Sequence, residues 1–273
     1  MKEHLARLLT LIKGAVFPPP GAGRIALAYA YGALCHSLFA AAVLSMITSV
    51  FFGMTLSLGT VPTPYSWAVN AMLLVQFPLV HSVLLSSKGG WLLRYLAPSR
   101  HAGRLSTTTY AIVASIQLLA LFVLWTPSGT IWWQAQGAAF ATMLILSGAA
   151  WLLLFKSVFD AGVEVQSGAL GWMSLAGNVK PVFPDMPTGG LFRIIRQPIY
   201  VAFALALWPV SVWTPDQLVV AVTLSTYCLA APLLKERRFK ARYGARFDSY
   251  RAAVPYAVPR LNKDKDNGKY APE

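Results

Sequence analysis

From Ile25 to Met54 the chain carries no Asp, Glu, Lys or Arg. That run exceeds the ~20 residues a helix needs to cross a bilayer core, where a helix also satisfies its own backbone polar groups. Further apolar runs occupy Trp67 to Leu85, Thr107 to Trp125, Ala138 to Phe155, Ile199 to Trp213 and Leu218 to Leu234. Composition agrees, with 56% of residues hydrophobic and 12% charged, against about 25% charged in soluble domains. Too few polar groups remain to cover a water-facing surface. The expected fold is an all-α integral membrane helical bundle of about six transmembrane helices, ending in a short helical hairpin and a cytoplasmic C-terminal tail.

Thr214-Pro215-Asp216-Gln217 separates the last two runs. Thr and Asp favour a helix start and Pro215 ends the helix before it, so a tight helical hairpin is expected here. As a helix of ~1.5 Å rise per residue, the fifth run spans only about 22 Å, which predicts a tilted or thinned crossing. Basic residues sort onto one side: Lys2, Arg7, Lys13 and Arg24 precede the first run, and Lys88, Arg94, Arg100 and Arg104 lie between the second and third. Lys156, Lys180, Arg193 and Arg196 follow the fourth run, and Lys235 opens a basic stretch after the sixth. The alternate connections, Thr55 to Ser66 and Thr126 to Gly137, hold no charge. The positive-inside rule therefore predicts an inner-membrane protein with both termini cytoplasmic. The net charge of +13 follows from this topology and from contact with anionic lipid, and calls for no nucleic acid partner.

The chain divides into an interfacial segment (1–24), a four-span scaffold (25–156), a cytoplasmic connection (157–198), the hairpin and its tail (199–260) and a disordered end (261–273). The first segment is either an interfacial helix or turn, or a basic tail. Asp160, Glu164, Gln166 and Asn178, spaced by glycines, give the connection either the backbone of a ligand lid or a re-entrant loop with turns. Cys35 and Cys228 lie in apolar runs and suit packing better than a disulfide or zinc site. No histidine pairs with another at i+3 or i+4, so no metal site is indicated. His36 fits a hydrogen-bonded structural role within its span.

Two polar clusters abut the apolar runs: Gly189 to Tyr200, and Lys235 through Tyr250. The topology puts both on the cytoplasmic face, where the hairpin brings them side by side. Pro198 suits the first turn of a helix, and the backbone N–H groups before it are expected to be open to an anion. Glu236, the only acid from Lys235 to Arg246, either holds a cationic or hydroxyl-bearing ligand or pairs with a neighbouring Arg. Arg196 and Arg251 either steer an anionic nucleophile or anchor the chain at the membrane surface.

Arg196-Gln197-Pro198-Ile199-Tyr200, a hairpin, then Glu236-Arg237, Tyr243-Gly244, Tyr250 and Val254-Pro255 resemble the C-terminal half of the isoprenylcysteine carboxyl methyltransferase superfamily. Its pattern runs Arg-His-Pro-x-Tyr, hairpin, Glu-Glu/Arg, Tyr/Phe-Gly-x-x-Tyr/Phe-x-x-Tyr and Val-Pro. Gln76-Phe77-Pro78-Leu79-Val80-His81-Ser82 and Arg104-Leu105-Ser106-Thr107 look like the bacterial branch of NnrU and methanethiol S-methyltransferase-like proteins. The resemblance implies S-adenosylmethionine as cofactor, held by Gln197, Pro198, Tyr200, Glu236 and Arg237 under an aromatic lid of Tyr243, Phe247 and Tyr250. It implies a thiol or carboxylate of a small or lipid-like substrate, with His81 near the substrate channel. One position departs: the family histidine is Gln197, which hydrogen-bonds but does not titrate. Two other classes share parts of the pattern. Sterol-type reductases using NADPH have Arg-His-Pro-Asn-Tyr-x-Gly-Glu, against which Ile199 and Ala202-Phe203 count, and an accessory protein of the NnrU kind would lack activity.

Overall fold

The computed structural model describes residues 2–86 and 89–260, so Lys88 and the end expected at 261–273 lie outside the described residues. The helices are α1 (Lys2–Val16), α2 (Ala22–Phe51), α3 (Tyr65–Leu84), α4 (Gly90–Leu96), α5 (Ala102–Leu124), α6 (Gly137–Gln166), α7 (Ala169–Ala176), α8 (Pro198–Ala206), α9 (Pro215–Tyr243) and α10 (Ala245–Ala253). Five of them, α2, α3, α5, α6 and α9, are long and apolar enough to cross a membrane. Their large apolar side chains face outward, with Leu44, Ile145 and Leu152 64%, 70% and 72% exposed. A surface of that kind suits lipid rather than water. The N-terminal segment is a helix, not a tail.

Polar rungs set the register of α3 against α5. Asn70 exchanges hydrogen bonds with the backbone of Thr126 (2.8 and 2.9 Å), and Gln117 donates to the Gln76 side chain at 2.7 Å. Tyr110 meets His81 at 2.7 Å. Within a bilayer such pairs satisfy groups that lipid cannot, and so fix which residues face each other.

The fifth apolar run departs from a helix of Ile199 to Trp213. α8 is nine residues long, about 13 Å at helical rise. Trp208-Pro209 stops it, because proline lacks an N–H and drives the preceding residue out of helical geometry. The chain finishes the crossing without helix, ending in strand β2 (Val212–Trp213), antiparallel to β1 (Trp133–Gln134). Such backbone survives in a membrane only where protein covers it. Here Leu207, Val210 and Val212 are buried, Ser211 N–H donates to Phe51 at 2.8 Å, and the Gln217 amide donates to the Leu207 carbonyl at 2.8 Å. The expected hairpin follows. Thr214 accepts from Gln217 N–H at 2.9 Å as the cap of α9, and Asp216 accepts from the Trp125 indole and Ser128 N–H, both at 3.0 Å.

The connection after the fourth run is more helical than a glycine-turned loop. α6 runs on to Gln166 through a kink at Gly162, whose φ of +102° only glycine adopts without strain. α7 then seats against α1, α2 and α5, burying Leu170, Leu175 and Ala176. The seat needs Gly32, since a Cβ there would stand 2.7 Å from the Trp172 ring. Trp172 in turn donates its indole N–H to His36 Nε2 at 2.9 Å, giving that histidine the structural role expected. Cys35 and Cys228 are buried free thiols.

Candidate active site

The start of α8 and the last turns of α9 meet on the basic face. α8 begins at Pro198, and the carbonyls of Pro255 and Tyr256 accept from the N–H groups of Arg196 (2.8 Å) and Gln197 (3.1 Å). The segment after α10 therefore closes over residues 196–197. This corrects the expectation that these N–H groups stand open to an anion: the returning chain supplies their acceptors instead.

Side chains then form a single hydrogen-bonded line. Arg196 Nε donates to Glu236 Oε1 at 2.8 Å, Gln197 Nε2 donates to the same oxygen at 2.7 Å, and Lys235 Nζ donates to Gln197 Oε1 at 2.9 Å. Arg196, Gln197 and Glu236 are 8%, 2% and 7% exposed. A buried carboxylate survives only when paired, so the partner of Glu236 is a distant arginine, not a neighbour on its own helix. Arg196 also donates to the Arg251 carbonyl at 3.0 Å and to that of Val254, and lies over the Tyr256 ring at 5.6 Å.

At the other end of the line, the Lys235 ammonium sits among three aromatic faces. Phe192 and Tyr200 lie 5.6 Å away and Phe239 5.4 Å. Phe192 rides on a 3-10 turn, Gly190–Arg193, tied down by a 2.9 Å bond from Leu191 N–H to Asp160. From the far side, the Tyr250 hydroxyl donates to the Phe192 carbonyl at 2.7 Å. Burial raises the Tyr250 pKa above its ordinary value, with Arg196 opposing and Glu236 adding, so it remains a neutral donor. Burial and Glu236 likewise raise Tyr256, against the pull of Arg196. Phe247 is buried and meets the edge of Phe239 at 6.1 Å.

Beyond Tyr200 a second polar patch lies inside the bundle. His81 touches Tyr110 and Phe77, and Ser82 pairs with Tyr227 at 3.2 Å. These groups come from α3, α5 and α9, next to the α8–α9 contact that holds the aromatic cage.

Of the residues singled out in the sequence, Arg196, Gln197, Pro198, Tyr200, Glu236, Phe247 and Tyr250 are gathered here, while His81 lies within the bundle against Tyr110 and Phe77. Arg237 and Arg251 are exposed, and Arg251 reaches the site through its carbonyl only. Arg237 follows Glu236 by one residue, about 100° around the helix. Tyr243 stacks on the outer side of Phe239 at 5.5 Å, beneath Arg242 and Arg246. Lys235, Phe192 and Phe239 were missed as site residues. Lys235 and Phe239 fall within the second polar cluster, and their i, i+4 spacing puts them on one helix face.

The site is a buried, charge-paired constellation at the edge of an apolar helical bundle, the setting of an integral membrane protein. Methanethiol S-methyltransferase 2 of Bradyrhizobium diazoefficiens is 30% identical over 200 residues, covering 71% of this chain and 73% of that protein. Methanethiol S-methyltransferase of Pseudomonas deceptionensis is 28% identical, over 74% of this chain and 76% of its own. Nurim of Sus scrofa is 27% identical over 60% of this chain and 63% of its own. No family model and no solved structure matches. The chain belongs to the methanethiol S-methyltransferase family, a branch of the isoprenylcysteine carboxyl methyltransferase superfamily, and is a membrane methyltransferase.

Proposed function

We propose that the methyl donor is S-adenosylmethionine, taken up on the basic face between the start of α8 and the end of α9, and that the acceptor is a small thiol. The observation that carries this is the cage of Phe192, Tyr200 and Phe239, which already surrounds a cation. Aromatic faces attract positive charge, most strongly where water is excluded. A sulfonium, cationic and apolar at once, fits such a cage. When bound, S-adenosylmethionine would supply a methyl group whose sulfonium charge is cancelled as it passes to a thiolate, the acceptor thiol having given its proton to bulk water before it meets the donor.

The chain's own residues do the rest. The three rings hold positive charge in place. Lys235, on a flexible four-carbon stem, withdraws its ammonium from the cage and presents it to an incoming thiolate. Gln197 and Tyr250 bind and orient without titrating, and Glu236 is held by Arg196 as the fixed counter-charge. Tyr110, Tyr227 and His81 line the approach of the acceptor, and the apolar walls keep water from stabilising separated ions. The remaining requirement is alignment of the reacting atoms. The names of the bacterial relatives support methanethiol as acceptor. The charge asymmetry of the connections supports the basic face, and with it both termini, lying in the cytoplasm.

The test is methyl transfer from labelled S-adenosylmethionine by the detergent-purified protein. Labelled dimethyl sulfide formed from methanethiol, with no product from a prenylated cysteine, is the expected result. Methylation of the prenylated cysteine alone would move the acceptor to a lipid-linked carboxylate.

A further inference from the structure

A second site lies away from the aromatic cage. α1 and α7 meet closely at Gly14 and Gly177, where a Cβ on either would stand 3.4–3.6 Å from the other's backbone. Arg24 locks this junction by donating to the Leu175 carbonyl at 2.7 Å and to that of Ala176, at the C-terminal end of α7. Beside it opens a groove of about 550 Å³, walled by Leu11, Phe17, Met173 and Val182, with Lys13 and Lys180 at its rim. Lys180 also lines the adjoining groove of Arg100 and Arg104.

Two buried polar side chains stand among the apolar residues lining the first groove. Glu164 and Ser174 are 1% and 0% exposed. Glu164 Oε1 is paired with Arg7, while Glu164 Oε2 and the Ser174 hydroxyl have no hydrogen-bond partner among the described residues. Buried acceptors left open are costly. The kink at Gly162 turns Glu164 inward to this position, so the chain builds the arrangement with a glycine-dependent bend.

We propose that this groove binds a phospholipid with an anionic, hydroxyl-bearing head group, of the phosphatidylglycerol type. Each part of the groove asks for one part of that molecule. The apolar walls take an acyl chain. The rim lysines face a phosphate, because the one carboxylate in the groove is already neutralised by Arg7. Glu164 Oε2 requires a donor and the Ser174 hydroxyl a partner of either kind, and a head-group hydroxyl supplies both. Doubly ionised phosphatidic acid lacks that donor, and phosphatidylcholine lacks both the donor and the net charge.

The test is native mass spectrometry of the full-length protein in mixed micelles holding equal amounts of phosphatidylglycerol, phosphatidic acid, phosphatidylethanolamine and phosphatidylcholine. Phosphatidylglycerol should be retained at least several-fold over the others. The double variant Lys13→Ala/Lys180→Ala, altered at exposed positions, should lose both anionic lipids. Ser174→Ala, checked for an unchanged melting temperature, should bring phosphatidylglycerol down to the level of phosphatidic acid. Equal retention of all four lipids, preference for phosphatidylethanolamine, or retention unchanged in the lysine variant would overturn the proposal. None of these outcomes depends on the identity of the methyl donor.

Discussion

At the scale of the residue, Gln197 carries the most information. Its sequence signal was a loss, the family's titratable ring replaced by an amide. The structure shows both ends of that amide engaged, accepting from Lys235 and donating to Glu236. A neutral imidazole also offers one donor and one acceptor, so the bridge between acid and base survives without a proton that moves. Glu236 is the member of the line whose removal should be felt most. Glu236→Ala leaves Arg196 buried without its counter-charge and should cost about 3–5 kcal/mol. Glu236→Gln keeps an acceptor and should cost less, both read by denaturant unfolding in detergent. Tyr250→Phe removes one neutral hydrogen bond to Phe192 and should cost about 1 kcal/mol. The residues of the motif were legible because their types and order are unusual beside apolar runs. Lys235 was not, because a lysine at the end of a membrane helix looks the same whether it anchors the helix or fills an aromatic cage.

Among the elements, the long helices could be read directly from the sequence and the short ones could not. α2, α3, α5, α6 and α9 are long and apolar enough for a bilayer crossing. α7 and α8 are shorter than a crossing and were visible only as apolar or glycine-spaced stretches, so their state depends on what covers them. α8 could stop at Pro209 because Phe51 and Gln217 satisfy the backbone beyond it. α7 forms because Gly32 leaves space for Trp172. Gly32→Ala should push that ring away from His36 and loosen α7, lowering the melting temperature while the helical content stays near that of the parent. Thr214→Ala should cost about 1 kcal/mol through the lost cap, and more through the lost bond to the Gly53 carbonyl at 2.7 Å. Asp160→Ala frees the turn that carries Phe192, and should weaken binding of the methyl donor more than it weakens the fold.

For the molecule as a whole, the uncharged connections and the β1–β2 pair lie on one face, and the charged ends of the helices, the cage and the lipid groove on the other. The central claim is that the cage of Phe192, Tyr200 and Phe239 recognises positive charge on the donor. The most direct measurement is calorimetric titration of the purified protein with S-adenosylmethionine and with S-adenosylhomocysteine, which lacks the charge. It is done on the parent, Phe239→Leu and Lys235→Met, with Arg94→Ala as a control on an exposed helix. Phe239→Leu should weaken binding of the sulfonium by about 2- to 30-fold, as a cation–π contact of ~0.5–2 kcal/mol requires, and binding of the neutral product far less. Lys235→Met, freed of a competing ammonium, should favour the sulfonium over the product. Equal losses for both ligands in Phe239→Leu, or no binding of either by folded parent protein, would contradict the claim.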